Sequence, residues 1–342
     1  MNYFRILPLF LIIIFSGIPT LYAQESGLSA IAEKGEGIFA LLRRHGLDPS
    51  TYAEKFVELN KPNLGSDNAL LVGKSYILPA NPATPVVVPA SEAGKPNKLI
   101  RPLLGKKYEE ITIRDRQLEG AVYYLISGHG GPDPGAMAKY GDHYISEDEY
   151  AYDVTLRLYR RLLEHGATAY MIIRDDNDGI RDDAILGLDT DETCFLDLPI
   201  PLSQKERLQQ QTEVVNNLFK KHAGAHQRLI VVHIDSRKLG ENIDVFFYHH
   251  HRSKSGEKLS RHIHESFRKK YAQHQPNRTY DGTVSARSGL YVIKNTLPPT
   301  VFLELGNIKN ARDQKRFVIS TNRQAMANWI AEGIIADRLE NK

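Results

Sequence analysis

Cysteine is scarce in this sequence: Cys194 is the only one among 342 residues. A single cysteine excludes an intramolecular disulfide and an all-cysteine zinc site. Any bound metal ion must therefore be held by histidine and carboxylate side chains. The scarcity does not by itself identify the redox compartment.

Excess charge and long apolar runs are also missing. The 44 Lys and Arg residues nearly balance the 41 Asp and Glu residues, so a net charge of +3 predicts neither nucleic-acid binding nor attraction to an anionic membrane surface. With 42% hydrophobic and 25% charged residues, the composition is that of a soluble globular protein and excludes a polytopic membrane protein. The partner must be inferred from a binding site.

The N-terminus has the layout of a secretory signal peptide. Arg5 precedes an apolar run over residues 6–15, which is well short of the ~20 residues that span a bilayer. We predict a signal peptide over residues 1–23, cleaved after Ala23, and hence a periplasmic or secreted protein with no stable membrane span after cleavage. An uncleaved N-terminal anchor is the alternative.

Residues 29–80 have the pattern strand, helix, helix, strand. Gly35 and Gly37 open the segment, Asn60 ends its second helical stretch, and alternation over residues 73–79 predicts the last strand. The segment resembles a lysin motif, the small βααβ module that binds glycans containing N-acetylglucosamine. The resemblance implies a glycan-binding module, and a packing module without glycan affinity is the alternative.

A proline-rich stretch separates this module from the rest of the chain. Pro82, Pro85, Pro89 and Pro96 lie among Ala, Val, Ser and Asn residues and predict a semi-extended linker over residues 81–98. The remaining residues, 99–342, are expected to form one large domain.

Apolar strands alternate with helices along residues 99–342. The predicted strands are 121–126, 167–173, 229–234, 243–248, 289–293 and 301–305, and the predicted helices are 146–165, 203–222, 257–271 and 323–339. This alternation predicts an α/β fold with a mainly parallel sheet and helices on both faces. Polar groups at the carboxyl ends of such strands converge on one crevice.

Three candidate metal ligands stand where that crevice would form. His129 lies in a glycine-rich turn after the first strand, His233 lies at the end of the strand 229–234, and Glu147 begins the first helix. Two imidazoles and one carboxylate leave one coordination position open on a tetrahedral metal ion, as a catalytic zinc requires. Taken alone, the turn could instead bind phosphate, and His233 could be a core histidine.

A carboxylate also lies within an apolar strand. Glu304 is preceded by Val301, Phe302 and Leu303 and followed by Leu305. A carboxylate in such a strand is costly unless it has a partner or a raised pKa, which makes Glu304 a candidate general base.

Taken in order, these residues resemble the motifs of the zinc-dependent N-acetylmuramoyl-L-alanine amidases, which cleave bacterial cell wall. The matching positions are His129, Asp133, Pro134, Gly135, Ala136, Glu147, His233, Glu304 and Asn310. The resemblance implies Zn2+ held by His129, Glu147 and His233, with Glu304 as catalytic base. It implies hydrolysis of the amide bond between the N-acetylmuramoyl lactyl group and the L-alanine of the stem peptide. Peptidoglycan is then the partner, and the resemblance allows for a protein activator.

Three positions depart from the family pattern, which has Asp where this chain has Ile126, Asn where it has Asp235, and an aromatic residue where it has Asn307. None is a predicted ligand, so the departures bear on substrate fit more than on metal binding. Glu149 is the alternative to Glu147 as carboxylate ligand. A zinc peptidase or deacylase on the same scaffold, or a non-catalytic wall-binding regulator with a decayed site, are the alternative functions.

Other polar groups have simpler interpretations. Residues 174–202 carry nine acidic residues against two arginines without the spacing of a calcium loop, so we predict a solvated loop rather than an ion site or lid. Arg287 is predicted to be an exposed, salt-bridging arginine, with substrate contact as the alternative. The remaining metal-like residues are predicted to be surface histidines: His249, His250, His251, His262 and His264.

Overall fold

The computed structural model describes residues 29–32, 35–45, 47–79, 97–237 and 243–341. The predicted signal peptide, residues 1–23, and nearly all of the predicted linker, residues 81–98, lie outside the described residues. The chain divides into two compact units, Met1–Val88 and Pro89–Lys342, and each is described by itself.

The first unit has two strands and two helices in the order β, α, α, β. They are β1 (Ser29–Ile31), α1 (Ile38–Arg44), α2 (Pro49–Asn60) and β2 (Ser75–Ile77), and the two strands pair antiparallel. Phe56 and Tyr76 are fully buried between them. The buried Asn60 side chain donates to the Ile77 carbonyl and accepts from the Ile77 N–H (2.7 Å), so it joins the end of α2 to β2.

The second unit is built on a six-stranded sheet in the order β14, β13, β15, β12, β5, β8. Its strands are β5 (Ala121–Ser127), β8 (Thr168–Met171), β12 (His226–Asp235), β13 (Phe246–His249), β14 (Thr283–Ala286) and β15 (Thr300–Asn307). Every neighbouring pair is parallel except β13 and β15, which are antiparallel. The predicted mainly parallel sheet is therefore confirmed.

Helices cover both faces of this sheet, as predicted. The helices are α3 (Glu147–Glu164), α4 (Gln204–Lys221), α5 (Lys254–His274), α6 (Tyr291–Asn295), α7 (Ala311–Val318) and α8 (Ser320–Glu340). Apolar residues of α3, α5 and α8 form one core with one face, and those of α4 and α6 form a second core with the other. Helices α5 and α8 pack closely at Gly333, where a Cβ would overlap the Ile263 backbone.

Short strands complete the described part of the second unit. They are β3 (Lys98–Ile100), β4 (Glu110–Thr112), β6 (Met137–Tyr140), β7 (His143–Ser146), β9 (Ile173–Arg174), β10 (Thr193–Cys194) and β11 (Leu198–Pro199). Strands β3 and β4 form one hairpin and β6 and β7 another, and β9, β10 and β11 form a small separate sheet.

Two strand predictions are wrong. Residues 289–293 were expected to form a strand, but the chain forms helix α6 there, because buried Val292 and Ile293 pack on the sheet from one side of a helical turn. A short apolar run does not distinguish these two outcomes. The predicted strand 167–173 is divided into β8 and β9, which belong to different sheets.

The sheet order explains where a site can form. Strands β15, β12 and β5 are adjacent and parallel, so their carboxyl ends lie side by side at one edge. Glu304 lies in β15, His233 lies in β12, and His129 follows β5. Within the described part of the chain, we find no helix long and apolar enough to cross a membrane.

Candidate metal centre and active site

His129 is held in a strained turn directly after β5. His129, Gly130 and Gly131 have positive φ angles of 69°, 102° and 62°, a region that residues other than glycine rarely adopt. Such strain in a non-glycine residue is typical of functional sites. The turn directs the His129 ring back over the edge of the sheet.

Asp133 orients the His129 ring. Nδ1 of His129 lies 3.0 Å from Oδ2 of Asp133, and the same oxygen accepts from the guanidinium of Arg207 at 2.5 Å. The Gly135 N–H donates to the other Asp133 oxygen. Because Nδ1 is engaged in this way, Nε2 of His129 faces Glu147 and is the nitrogen that could bind a metal ion.

His233 lies at an irregular point of β12. The pairing of β12 with β15 shifts register between His233 and Asp235, and the Ile234 N–H turns away from the ladder and donates to Oε1 of Glu147 (3.0 Å). The His233 ring stacks on Phe302, with centroids 4.4 Å apart and planes 14° apart. The stack and the irregular strand fix the orientation of the imidazole.

Glu147 joins the two imidazoles. It is the first residue of α3 and only 5% exposed. One carboxylate oxygen lies 3.2 Å from Nε2 of His129 and accepts from the Ala136 N–H, and the other lies 2.8 Å from Nδ1 of His233. The three predicted ligands are therefore brought together, with one atom of each within 4.8 Å of the others.

The residues of this cluster fit a tetrahedral zinc ion. Two ligand atoms on such an ion are about 3.3 Å apart, close to the nitrogen–oxygen separations of 3.2 and 2.8 Å seen here. Two glycines make room for the rings: a Cβ on Gly128 would overlap His233, and a Cβ on Gly135 would lie 2.6 Å from Cδ2 of His129. The types of donor atom, the distances between them and the room left for the imidazole rings are those that a bound zinc ion requires.

The charges in the cluster are strongly coupled. Burial opposes the charged form of His129, but hydrogen bonds to Asp133 and Glu147 outweigh it and raise the pKa of His129 to about 10. Burial alone would raise the pKa of Glu147, yet hydrogen bonds with His129 and His233 hold it well below its usual range. The cluster therefore keeps an anionic carboxylate that attracts a positive charge, which a proton or a metal ion can supply.

Glu304 lies in the strand next to the one that carries His233. It pairs in register with His233 on one side and Phe246 on the other. Its Oε2 is buried and accepts no hydrogen bond among the described residues. Burial, followed by the negative charges of Glu147 and Asp235, raises its pKa well above the usual range. Such a carboxyl can both accept and return a proton.

Glu149, the alternative ligand, lies elsewhere. Its carboxylate is ion-paired with Arg181 (2.9 Å) and accepts from the Asp189 N–H (3.1 Å), and burial raises its pKa to about 8. Glu149 groups with Asp189 and Glu192 rather than with the two histidines.

The acidic segment over residues 174–202 is only in part the solvated loop that we predicted, because five of its nine acidic residues are exposed and two are buried. Asp175 and Glu192 are buried, 3% and 6% exposed, and Asp182 is bound by Arg157 and Lys107. The segment forms β9, β10 and β11 and packs beside the His129 turn, where Glu192 accepts the Gly131 N–H (2.7 Å). Composition alone could not distinguish these packed acids from solvated ones.

The remaining predicted residues have separate contacts. His251 bonds Ser288, His262 bonds Glu340 and His264 bonds the Gly282 carbonyl, so these histidines do not converge on a site. Asn310 caps α7 by accepting the N–H groups of Arg312 and Asp313. In the described part of the chain, these side chains stabilise the fold through their hydrogen bonds.

Two functional residues were not assigned a role from the sequence. Asp133 appeared only as a motif residue, although its position four residues after His129 in a tight turn could have indicated contact. Arg207 lies on α4, 74 residues away from Asp133, and no local signal connects the two.

The departures from the family pattern also have visible contacts. Ile126 is a buried strand residue, and Asp235 pairs with Arg237 (2.7 Å) beside Glu304. Asn307 is fully buried and its side-chain oxygen accepts the N–H groups of Arg237 and Lys309.

Comparison with known proteins identifies the family. A sequence profile of the N-acetylmuramoyl-L-alanine amidase family matches residues 124–336, more than half of the chain. The chain belongs to this family. The matched region includes all four candidate residues of the amidase: His129, Glu147, His233 and Glu304. A search of the curated proteins found no match to this chain.

Several solved structures are similar to the amidase. The CwlD amidase from Clostridioides difficile, solved in complex with the GerS lipoprotein, is 21% identical with a TM-score of 0.48 over 65% of this chain and 99% of that chain. Ami1 from Mycobacterium smegmatis is 18% identical with a TM-score of 0.48 over 65% and 99%. The catalytic domain of CwlV from Bacillus (Paenibacillus) polymyxa var. colistinus is 19% identical with a TM-score of 0.46 over 65% and 99%.

Proposed function

We propose that this amidase hydrolyses the amide bond between the N-acetylmuramoyl lactyl group of peptidoglycan and the L-alanine of the stem peptide. Family membership supports the reaction class. The observation that carries the proposal for this chain is the meeting of His129, Glu147 and His233 near Glu304, whose buried Oε2 has no hydrogen-bond partner among the described residues. A decayed site would have lost at least one of these groups.

His129, Glu147 and His233 are the residues that would hold zinc. Two imidazoles and a carboxylate are a frequent ligand set of catalytic zinc and leave one position for water or substrate. When bound, zinc supplies a Lewis acid that polarises the scissile carbonyl and makes a water molecule more acidic. Asp133 and Arg207 would keep the His129 ring in place.

Glu304 moves the proton in this proposal. Its carboxylate accepts a proton from the attacking water as the water oxygen bonds to the amide carbon. The carbon–nitrogen bond then breaks, and Glu304 returns the proton to the departing amine of L-alanine. The products are a glycan that has lost its stem and a free stem peptide. The raised pKa of Glu304 suits a group that must both take and give a proton.

The segments that precede the catalytic domain have proposed roles in binding and targeting. We propose that residues 29–80 bind glycan and, through the linker over residues 81–98, keep the catalytic domain over residues 99–342 close to its substrate. The proposed signal peptide, residues 1–23, and the cell-wall substrate both favour a periplasmic or secreted enzyme. A protein activator stays a prediction.

Digestion of purified cell wall by the full-length protein tests the proposed reaction. We expect new amino-terminal L-alanine and no new reducing glycan ends, together with about one zinc ion per chain. Any other new amino terminus would support the zinc peptidase, and a new free amine on the sugar would support the deacylase. Wall binding without zinc or turnover would support the non-catalytic regulator.

A further inference from the structure

Arg287 is attached firmly to the sheet although its side chain is exposed. It follows β14, and its backbone N–H donates to the carbonyl of His249, the last residue of β13 (3.0 Å). The guanidinium lies over the ring of Tyr248, 5.0 Å from the centroid. This cation–π contact fixes the direction of a long side chain that would otherwise be mobile.

Tyr248 connects Arg287 with the active site. Tyr248 pairs with Phe302 across β13 and β15, with ring centroids 6.3 Å apart, and Phe302 stacks on the candidate ligand His233. Phe302 and Glu304 are two residues apart on one face of β15, so Tyr248 lies roughly 7 Å from Glu304 along the strand. The positive charge of Arg287 also opposes the rise in the pKa of Glu304.

Arg287 differs from the neighbouring arginine, Arg237, in its ionic contacts among the described residues. Arg287 is exposed, as predicted, and we find no ion pair for it in the described part of the chain. Its counterpart Arg237 packs on Phe246 at 4.8 Å but is neutralised by Asp235 at 2.7 Å. One guanidinium is therefore paired, and the other is held in position by an aromatic ring with its charge available.

We propose that Arg287 binds a carboxylate on the second residue of the stem peptide. This inference rests on the proposed function, because it places the stem along β15 and β13, between Glu304 and Tyr248. An extended residue spans about 3.5 Å, so a group on the residue after L-alanine lies roughly 7 Å from the scissile bond. Tyr248, over which the Arg287 guanidinium lies, is at about that separation from Glu304 along the strand.

The chemistry of the guanidinium defines a preference among substrates. Its planar fork fits a carboxylate with two charge-assisted hydrogen bonds, and a neutral carboxamide offers only one acceptor and no charge. Among stems whose residue after L-alanine carries this carboxyl either free or as its amide, the amidase therefore prefers the free acid.

Binding to a catalytically inactive protein tests this preference without depending on turnover. The zinc-loaded, full-length Glu304→Gln variant is titrated with N-acetylmuramoyl-L-alanyl-D-glutamate and with its α-amide, N-acetylmuramoyl-L-alanyl-D-isoglutamine. We expect the free acid to bind about tenfold more tightly, as for a partly exposed charge-assisted pair. Adding Arg287→Gln removes this ratio, and Arg287→Lys keeps part of it.

Arg237→Gln is the matched control, because it removes the positive charge that packs on Phe246, the residue paired with Glu304. We expect it to leave the ratio between the two ligands unchanged. Equal binding of both ligands, no binding of either, or loss of the ratio in Arg237→Gln instead of Arg287→Gln overturns the proposal. Turnover of the two ligands by the wild-type enzyme is measured separately, so failure of hydrolysis is distinguished from failure of carboxylate recognition.

Discussion

The imidazole of His233 occupies the space that a side chain at Gly128 would need. A Cβ built on Gly128 would overlap three atoms of the ring. Gly128 has no positive φ angle, so the requirement for glycine comes from the neighbouring ring and not from the backbone conformation. The residue that follows β5 and the His233 ring on β12 are therefore in close contact.

Gly128→Ala should therefore damage the metal centre more than the fold. The added methyl group must push His233 away from Glu147, and a displacement of about 1 Å at such a site costs roughly 100-fold in rate. We expect loss of bound zinc and of wall digestion, with little change in the circular dichroism spectrum. Gly187→Ala is the control, because Gly187 has open space around it and an ordinary φ angle. Retention of zinc and activity by Gly128→Ala would contradict the assignment of His233.

Asp133→Asn tests the orientation of the other imidazole. The change removes the negative charge next to Nδ1 of His129 and the ion pair with Arg207. Loss of a residue that orients a metal ligand lowers metal affinity by about tenfold to 100-fold. Competition with a chelator measures this loss. Asp142→Asn, an equal change of charge at an exposed turn residue, should have no effect on zinc affinity.

The location of the site could be predicted from the sequence because it follows from strand order and periodicity. Strands at β5, β12 and β15 were recognisable from their continuous apolar residues, and the carboxyl ends of parallel strands meet at one edge. His129, His233 and Glu304 all lie at that edge, and Glu147 starts the helix that follows the His129 turn. The pattern located this edge, and the resemblance to the amidase family selected these four groups from the other polar residues.

Contacts between distant segments were beyond the sequence pattern. The pairing of Asp133 with Arg207 depends on how α4 packs, and the burial of Asp175 and Glu192 depends on the backbone N–H groups that their carboxylates accept. Helix α6 was mistaken for a strand because four apolar residues fit either periodicity. In each case tertiary packing determined the result.

Burial of the acidic segment should make the stability depend on pH. Burial raises the pKa of Glu192 to about 7, against an ordinary value of 4.5. Between these two values the folded state holds a proton that the unfolded state releases, so the free energy of unfolding falls as pH rises through this window. The full loss is of the order of 3 kcal/mol above the folded pKa.

Glu192→Gln should flatten this dependence, since the amide does not titrate and can still accept the Gly131 N–H. Urea unfolding of the full chain between about pH 5 and about pH 8 measures the slope for both proteins. Glu213→Gln, at an exposed position of α4, should retain the wild-type slope. An equal slope for Glu192→Gln and wild type would show that the Glu192 carboxyl is ionised throughout.

Replacing the Glu304 carboxyl by an amide should lower the activity of the enzyme without lowering its stability. Removing a general acid/base costs about 100-fold to 10,000-fold in rate, so Glu304→Ala and Glu304→Gln should both lose wall digestion. Both should keep zinc, because Glu304 is not one of the three clustered ligands. Its Oε2 is buried without a hydrogen bond among the described residues, so replacing the carboxyl by the neutral amide should leave the melting temperature unchanged or raise it. If Glu304 were purely structural, replacing it would lower the melting temperature before it lowered the rate. Wild-type activity in Glu304→Ala would place the base elsewhere.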